Sequence, residues 1–240
     1  MRIDIDSYKE ILDTITRNKA RSFLTGFGVF WGIFMLVALI GGGQGLKELL
    51  SKNFDGFATN CALIFPQPTT KPYHGFRKGR SWTLTYRDID RLRAQVPELA
   101  TVSPMLSRWG ANVTFKDKKS NCSVKGLLPN YADVEAPVMY YGRYINEMDV
   151  AQGRKVCVLG KKIYKTLFPG GGDPCGQRVR IDSTYYQVVG VNYASGNMSV
   201  NGRMQESVLA PISLVQRAYG RGEDIDLICV TIKPGTRVSK

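Results

Sequence analysis

The sequence predicts an α+β protein, with one N-terminal transmembrane helix followed by a mixed α+β extracytoplasmic domain in two lobes. Three observations support this fold class. Residues 23–43 contain no charged residue. The rest of the chain carries patterns of short strands and short helices that do not alternate strictly. The 240 residues are 43% hydrophobic, which is enough to build a core and excludes a disordered chain.

The uncharged segment reads FLTGFGVFWGIFMLVALIGGG. As a helix it would extend about 31 Å, which matches the roughly 30 Å hydrocarbon core of a bilayer. Two alternatives stay open. One is a buried helix of a soluble protein, although such helices are rarely apolar on every face. The other is a cleaved signal peptide, whose apolar core is usually shorter; the small residues Gly41 and Gly43 keep it open.

The charges beside the span predict its orientation. Arg17, Lys19 and Arg21 precede it, whereas the first charges after it, Lys47 and Glu48, cancel. Because positive residues stay on the cytoplasmic side, residues 1–22 are expected in the cytoplasm and the chain after about residue 44 outside.

Residues 1–22 are predicted to form a cytoplasmic amphipathic helix. Tyr8, Ile11, Leu12 and Ile15 recur at the spacing of one helix face, and polar residues fill the positions between them. Such a helix can lie among lipid headgroups or pack on a partner protein. Its five basic and four acidic residues leave a charge of +1, so the apolar face would supply most of any binding to lipid.

Within the span, Gly28 and Gly32 form a G-x-x-x-G pattern, with Gly26 two residues earlier. Small residues one turn apart allow a second helix to approach closely, so Gly28 and Gly32 are candidates for helix packing. A chance pattern in a glycine-rich span is the alternative.

Residues 44–240 are predicted to form the outer domain, beginning with a stalk helix that continues the span through about residue 54. Thr85 and Asp88 have the capping-box spacing, which predicts a helix that stops before Pro97, and Asn146 with Asp149 predicts a short second helix. Further helices are expected over 161–168 and 212–219. Apolar or alternating runs predict strands at 61–65, 101–106, 112–116, 120–127, 155–159, 178–182, 185–191, 207–210 and 226–232.

The outer domain is strongly basic. After the span lie 28 of the chain's 33 basic residues and 16 of its 20 acidic residues, a net charge of +12. The densest stretch, residues 71–93, overlaps a loop rich in Pro and Gly over 66–82. Outside the membrane, anionic lipid or glycan is a more suitable contact than nucleic acid, which we do not expect as a partner. A merely solvated basic face is the alternative.

The residues offer little catalytic chemistry. His74 is the one histidine, no Walker A loop is present, and Val156–Lys162 is too short a turn to replace it. We therefore predict no catalytic, metal-binding or cofactor-binding residue. The cysteines are spaced without a C-x-x-C pair; those in predicted strands are expected to be buried, and one or two disulfides stay possible outside the cytoplasm. They are Cys61, Cys122, Cys157, Cys175 and Cys229.

In this order, several segments resemble the start of a MacB/FtsX-type ABC transporter permease. The basic residues before the span and the glycine-rich residues at its outer end are similar to the family's, as are several segments of the outer domain. These segments are Asn18–Thr25, Gly41–Leu46, Thr83–Asp88, Tyr141–Tyr144 with Asp149, Val156–Gly160, Asp173–Gly176, Arg178–Ile181, Gln187–Val191 and Leu209–Pro211.

The resemblance implies a permease subunit of the bacterial inner membrane, with residues 44–240 as a MacB-like periplasmic core domain. In such systems ATP hydrolysis by an ATPase drives movement on the periplasmic side, in drug or peptide efflux, lipoprotein release or control of cell-wall hydrolases. The resemblance also implies a homodimer or paired permease, and a periplasmic adaptor or cargo.

The family's permeases have four spans, and the last three follow the outer domain. This sequence ends at Lys240 without a second apolar segment, so we expect either a fragment or a truncated gene product, with the ATPase on a separate chain. The alternative is a single-pass anchored module that binds or senses an anionic lipid or glycan.

Overall fold

A computed structural model describes residues 19–53, 57–58, 60–193 and 200–233. The chain divides into two compact units, Met1–Lys52 and Asn53–Lys240. The predicted amphipathic helix, up to residue 18 and including Arg17, lies outside the described residues.

The first unit is dominated by one long helix, α1 (Lys19–Asn53). Its 35 residues correspond to a length of about 52 Å. The helix includes the uncharged residues 23–43 and continues beyond them without a break at Gly41–Gly43. Three consecutive glycines have low helix propensity. Here they continue a helix that is already formed by the apolar residues on their N-terminal side.

The second unit contains eleven described strands, four described α-helices and two short 3₁₀ turns. The helices are α2 (Tyr86–Gln95), α3 (Glu147–Ala151), α4 (Lys161–Leu167) and α5 (Ile212–Ala218), and the 3₁₀ turns are Pro129–Asp133 and Met204–Glu206.

The strands are β1 (Cys61–Ile64), β2 (Leu84–Thr85), β3 (Leu99–Phe115), β4 (Lys118–Leu127), β5 (Met139–Gly142), β6 (Val156–Gly160), β7 (Arg178–Ile181), β8 (Thr184–Asn192), β9 (Ser207–Pro211), β10 (Asp224–Ile225) and β11 (Leu227–Ile232).

Nine of the described strands join in one mixed sheet in the order β1-β11-β3-β4-β9-β6-β8-β5, with β7 off this path. Strand β7 pairs with β8 and also with the end of β3, where Val113 lies opposite Ile181. It therefore closes a ring of six strands, β3-β4-β9-β6-β8-β7. Two pairs in the ring are parallel, β4 with β9 and β6 with β8, and the others are antiparallel.

Apolar side chains cover both faces of the central strands. In β6, Cys157 and Leu159 join one buried cluster with α4 and α5, whereas Val158 joins a second cluster on the opposite face. Strand β9 divides in the same way, with Val208 in the first cluster and Leu209 in the second. Burial on both faces explains why these strands read as nearly continuous apolar runs rather than alternating ones.

A close approach of helix α5 to β4 depends on a glycine. A Cβ added at Gly126 would lie 3.0 Å from the Cβ of Val215 and 3.2 Å from the Cα of Ile212. The missing side chain lets the helix backbone pack directly on the strand, which fixes one side of the first cluster.

Several local predictions are confirmed. Helix α2 begins directly after Thr85, whose backbone N–H donates to Asp88 Oδ2 at 2.9 Å, and α3 begins after Asn146 with the same reciprocal bonds to Asp149. The predicted strands at 101–106 and 112–116 are one continuous strand, β3, with an irregular register between Arg108 and Ala111. The sequence did not predict β5 or the two-stranded β2–β10 pair.

The fold class is confirmed: an N-terminal apolar helix precedes a mixed α and β domain. The division of that domain into two lobes is a detail in which the structure differs from the expectation. Residues 53–240 form one compact unit, because the ring and its flanking strands share a single sheet.

Candidate functional site

Helix α1 is apolar on every side over residues 23–43. Its most hydrophobic 18-residue window has a mean hydropathy of 2.3, and none of that window is buried. Phe23 and Leu39, which lie towards the two ends of the uncharged segment, are 72% and 75% exposed. By length and composition the helix can cross a membrane. The predicted flanking charges Lys19 and Arg21 lie in its first turns.

The two candidate packing glycines lie on one side of α1. At 100° per residue, Gly28 and Gly32 are about 40° apart, while Gly26 is about 140° from the middle of their face. A Cβ added at any of the three would meet no atom within 4 Å, so the glycine face is open. Whether a second helix packs there stays a prediction.

An aromatic stripe runs along another side of α1. Phe23, Phe27, Trp31 and Phe34 follow one another with ring centroids 5.7–6.1 Å apart. The stripe is centred about 125° from the Gly28–Gly32 face. The helix therefore presents one shallow face and one bulky face, which differ in the partners they can accept.

A buried ion cluster fixes the corner between β5 and α3. Asp149 is fully buried and accepts two hydrogen bonds from the Arg143 guanidinium, at 2.6 and 3.1 Å, and one from the Asn146 backbone N–H. Arg154 lies 3.8 Å from the same carboxylate. Burial raises the pKa of Asp149, but the Arg143 hydrogen bonds, the Asn146 N–H and the two positive charges together hold it below its usual value.

A second buried polar group, Lys125, lies beside the second apolar cluster of the outer domain, which includes Val158, Val200 and Leu209. Lys125 is fully buried, and its Nζ donates to the carbonyls of Val200 and Gly202 at 2.8 and 2.6 Å. Burial lowers the pKa of Lys125 to about 8, against the opposing attraction of Glu135. Lys125 therefore anchors the chain around residues 200–202 to β4. This role was not predictable from the sequence, because an alternating strand can turn a lysine to either face.

The basic loop over residues 66–82 is exposed and folds back on itself. The Thr69 and Gly79–Arg80 backbones pair, and Trp82 Nε1 donates to the Gln67 carbonyl at 2.7 Å. His74 lies at the exposed tip of this loop. The structure brings none of the loop's basic residues into a buried constellation with His74, which fits a solvated surface.

Three of the five cysteines are buried: Cys122, Cys157 and Cys229. All five are free thiols in this structure. Burial raises the pKa of Cys122 to about 12 and that of Cys157 still further, so these thiols have little thiolate character. Among the described residues, no group of three or more His, Cys, Asp or Glu side chains is placed to hold a metal ion.

Comparison with known proteins identifies relatives over most of the chain. A family model described as "MacB-like periplasmic core domain" matches residues 22–240. The "Macrolide export ATP-binding/permease protein MacB 1/2" of Paracoccus denitrificans is 30% identical over 216 residues, 89% of this chain and 31% of that protein. A MacB of Rhodospirillum rubrum is 25% identical over 95% of this chain and 34% of its own length. The chain thus spans about a third of the length of these curated relatives.

Two solved structures share the fold. The periplasmic region of MacB from Actinobacillus actinomycetemcomitans superposes with a TM-score of 0.61 and 24% identity, over 78% of this chain and 80% of that one. The extracellular domain of the ABC-type transporter YknZ from Gram-positive bacteria gives a TM-score of 0.58 and 18% identity, over 73% and 85%.

Proposed function

The chain belongs to the family of MacB-like periplasmic core domains, and we propose that it supplies the first span and the outer domain of a permease subunit in an ABC-type export or mechanotransmission system. In this proposal residues 1–22 are cytoplasmic, 23–43 span the bacterial inner membrane, and 44–240 lie in the periplasm. The observation that carries it is the family match over residues 22–240, which starts at the N-terminal end of an exposed apolar helix.

The proposed mechanism transmits motion and needs no catalytic residue in this chain. Helix α1 is continuous from Lys19 to Asn53, so a shift at its cytoplasmic end can be passed along its length without loss at a break. The ring of six strands is packed on both faces, which favours movement of the outer domain as one body. ATP is hydrolysed by a separate ABC ATPase.

The proposed partners follow from the same surfaces. The Gly28–Gly32 face is open enough for close packing against a second copy or a paired permease. The outer domain would meet a periplasmic adaptor or the cargo, and membrane lipid would surround α1.

Co-purification tests the coupling. The protein expressed from its complete gene would be isolated from membranes in mild detergent, and the preparation would be examined for a bound ATPase and for ATP turnover. We expect an ATPase in stable proportion and measurable turnover. A preparation without any ATPase would overturn the proposal and favour the anchored binding module.

A charge within α1 tests the span. Leu36→Arg places a charge near the middle of the apolar segment, which should oppose insertion by roughly 2.5–3.5 kcal/mol. We expect membrane fractionation to show a clear fall in the integrated fraction. Leu46→Arg, next to the charged residues at the end of the segment, is the matched control and should insert normally. Equal integration of both variants would contradict the span.

A further inference from the structure

A cleft of about 540 Å³ opens beside the hairpin of β7 and β8, next to the start of β6. The residues that line it include Arg154, Lys155, Arg178, Ser183, Thr184 and Tyr185. The volume is in the range of small-molecule sites, which usually measure roughly 300–1,000 Å³. No part of the proposed transport mechanism uses this cleft.

The strand registers explain why basic side chains gather there. Arg178 lies opposite Gln187 in the β7–β8 hairpin, and Val156 lies beside Gln187 in the parallel β6–β8 pair. Arg154 and Lys155 immediately precede Val156, so they come level with the beginning of β8. Along β7 exposed and buried residues alternate, which places Arg178 on the solvent side.

None of the described residues that line the cleft is acidic. Asp149 is fully buried and already holds Arg143 through two hydrogen bonds, and Arg154 lies 3.8 Å from the same carboxylate, so these two cations and one anion leave a net charge of +1. Arg154 Nε also donates to Gln152 Oε1 at 2.8 Å, and the Arg154 side chain is 46% exposed. Asp182 follows β7 directly, but its two oxygens accept from the Asn112 backbone N–H and the Tyr219 hydroxyl. In the part of the chain that the structure describes, no ion pair joins Lys155 or Arg178 to a carboxylate.

We propose that this cleft binds a phosphate-bearing molecule. Two guanidinium groups and one ammonium group match a doubly charged phosphate, because guanidinium presents paired donors to phosphate oxygens. Ser183, Thr184 and Tyr185 add hydroxyl donors at the rim, and the exposed Tyr185 ring offers a flat apolar surface for the rest of the ligand. The cleft is larger than one phosphate, so it fits a phosphorylated headgroup or a phosphorylated solute.

The binding test uses the full chain in zwitterionic detergent micelles and pyrophosphate as the probe, measured by titration calorimetry at physiological salt. We expect saturable one-site binding by the wild type. Lys155→Gln together with Arg178→Gln should weaken it at least about tenfold, because charge-assisted hydrogen bonds are lost. Both side chains are exposed, so an unchanged thermal transition would show that the double variant is folded.

Lys118→Gln together with Lys119→Gln is the charge-matched control, since both lie at the start of β4, outside the cleft. This control should bind pyrophosphate as the wild type does. Equal weakening in both double variants, or the absence of saturable binding by the wild type, would overturn the proposal.

A second arm separates the two sources of phosphate. The titration is repeated with the chain in nanodiscs of phosphatidylcholine alone and in discs that also contain phosphatidylglycerol. Competition that appears only with phosphatidylglycerol supports a lipid headgroup as the ligand, and unchanged pyrophosphate affinity supports a soluble phosphorylated ligand. Neither arm depends on an ATPase, so the result is independent of the proposed transport function.

Discussion

Replacing Arg143 with alanine should destabilise the outer domain more than its exposure suggests. The Arg143 side chain is 43% exposed, but its partner Asp149 is fully buried. Removing the guanidinium leaves a buried carboxylate with the Asn146 N–H and with Arg154 at 3.8 Å. An uncompensated buried charge is more costly than a lost exposed one.

The structure sets the size of the effect. Removing one partner of a fully buried pair typically costs about 3–5 kcal/mol. Solvent access to Arg143 and the remaining partners of Asp149 reduce this, so we expect about 2–4 kcal/mol. For a domain of this size the fall in Tm would be roughly 4–16 °C. Arg154→Ala is the matched control, and its longer, half-exposed contact predicts less than about 1 kcal/mol.

The pH dependence gives the sharper test. In the wild type the pKa of Asp149 is below its usual value, so its stabilising contribution is present above the unfolded pKa of about 3.9 and is lost as the pH falls through the folded pKa. Without Arg143 burial raises that pKa, and protonation then relieves the penalty. The deficit of Arg143→Ala should therefore shrink as the pH is lowered from 7 towards about 4.5.

Thermal unfolding of the full chain in detergent, followed by near-ultraviolet circular dichroism at both pH values, measures these differences. Two results would refute the reasoning. One is equal destabilisation by Arg143→Ala and Arg154→Ala. The other is a deficit for Arg143→Ala that is the same at both pH values.

Three further predictions concern other parts of the molecule. Gly28→Leu should lower the cross-linking yield between copies in bilayers, whereas Gly26→Leu, the same change about 140° around α1, should not; equal yields would remove the glycine-face interface. Lys125→Met should reduce the rise in Tm between about pH 8 and 10.4. In that window the unfolded wild-type chain binds more protons than the folded one, because burial lowers the pKa of Lys125. An unchanged pH profile would contradict the burial of this amino group. Gly160→Ala should lower Tm far more than Gly170→Ala, because its Cβ would lie 2.7 Å from the Gln205 carbonyl carbon while that of Gly170 meets nothing within 4 Å; similar Tm values would contradict this packing.

Local features of the sequence predicted their elements correctly because short-range physics decides them. The capping residues Thr85 and Asn146 start their helices through bonds to residues only three positions away. The apolar run over 23–43 predicted a helix from composition alone. The hairpin of β7 and β8 was predicted from alternation on either side of a short turn.

The candidate cleft was not predictable in the same way. Arg154, Lys155 and Arg178 are spread over separate segments, and each reads as an ordinary exposed charge in the sequence. The strand register places them together, and the side-chain contacts show that Asp149 already holds Arg143 and that Asp182 accepts from Asn112 and Tyr219. Likewise, the burial of Lys125 depends on the carbonyls of Val200 and Gly202, far along the chain.

The sequence by itself determined the apolar helix, the helix starts and the hairpins, since each depends on neighbours within a few residues. Only the tertiary structure decided that one sheet, rather than two lobes, organises the outer domain. Its ring is held by pairs such as Ser123 and Ser207, which are 84 residues apart and bonded at 2.7 Å. Such pairings are selected by the simultaneous burial of both faces of the central strands, and no local pattern encodes which distant strands will satisfy that condition.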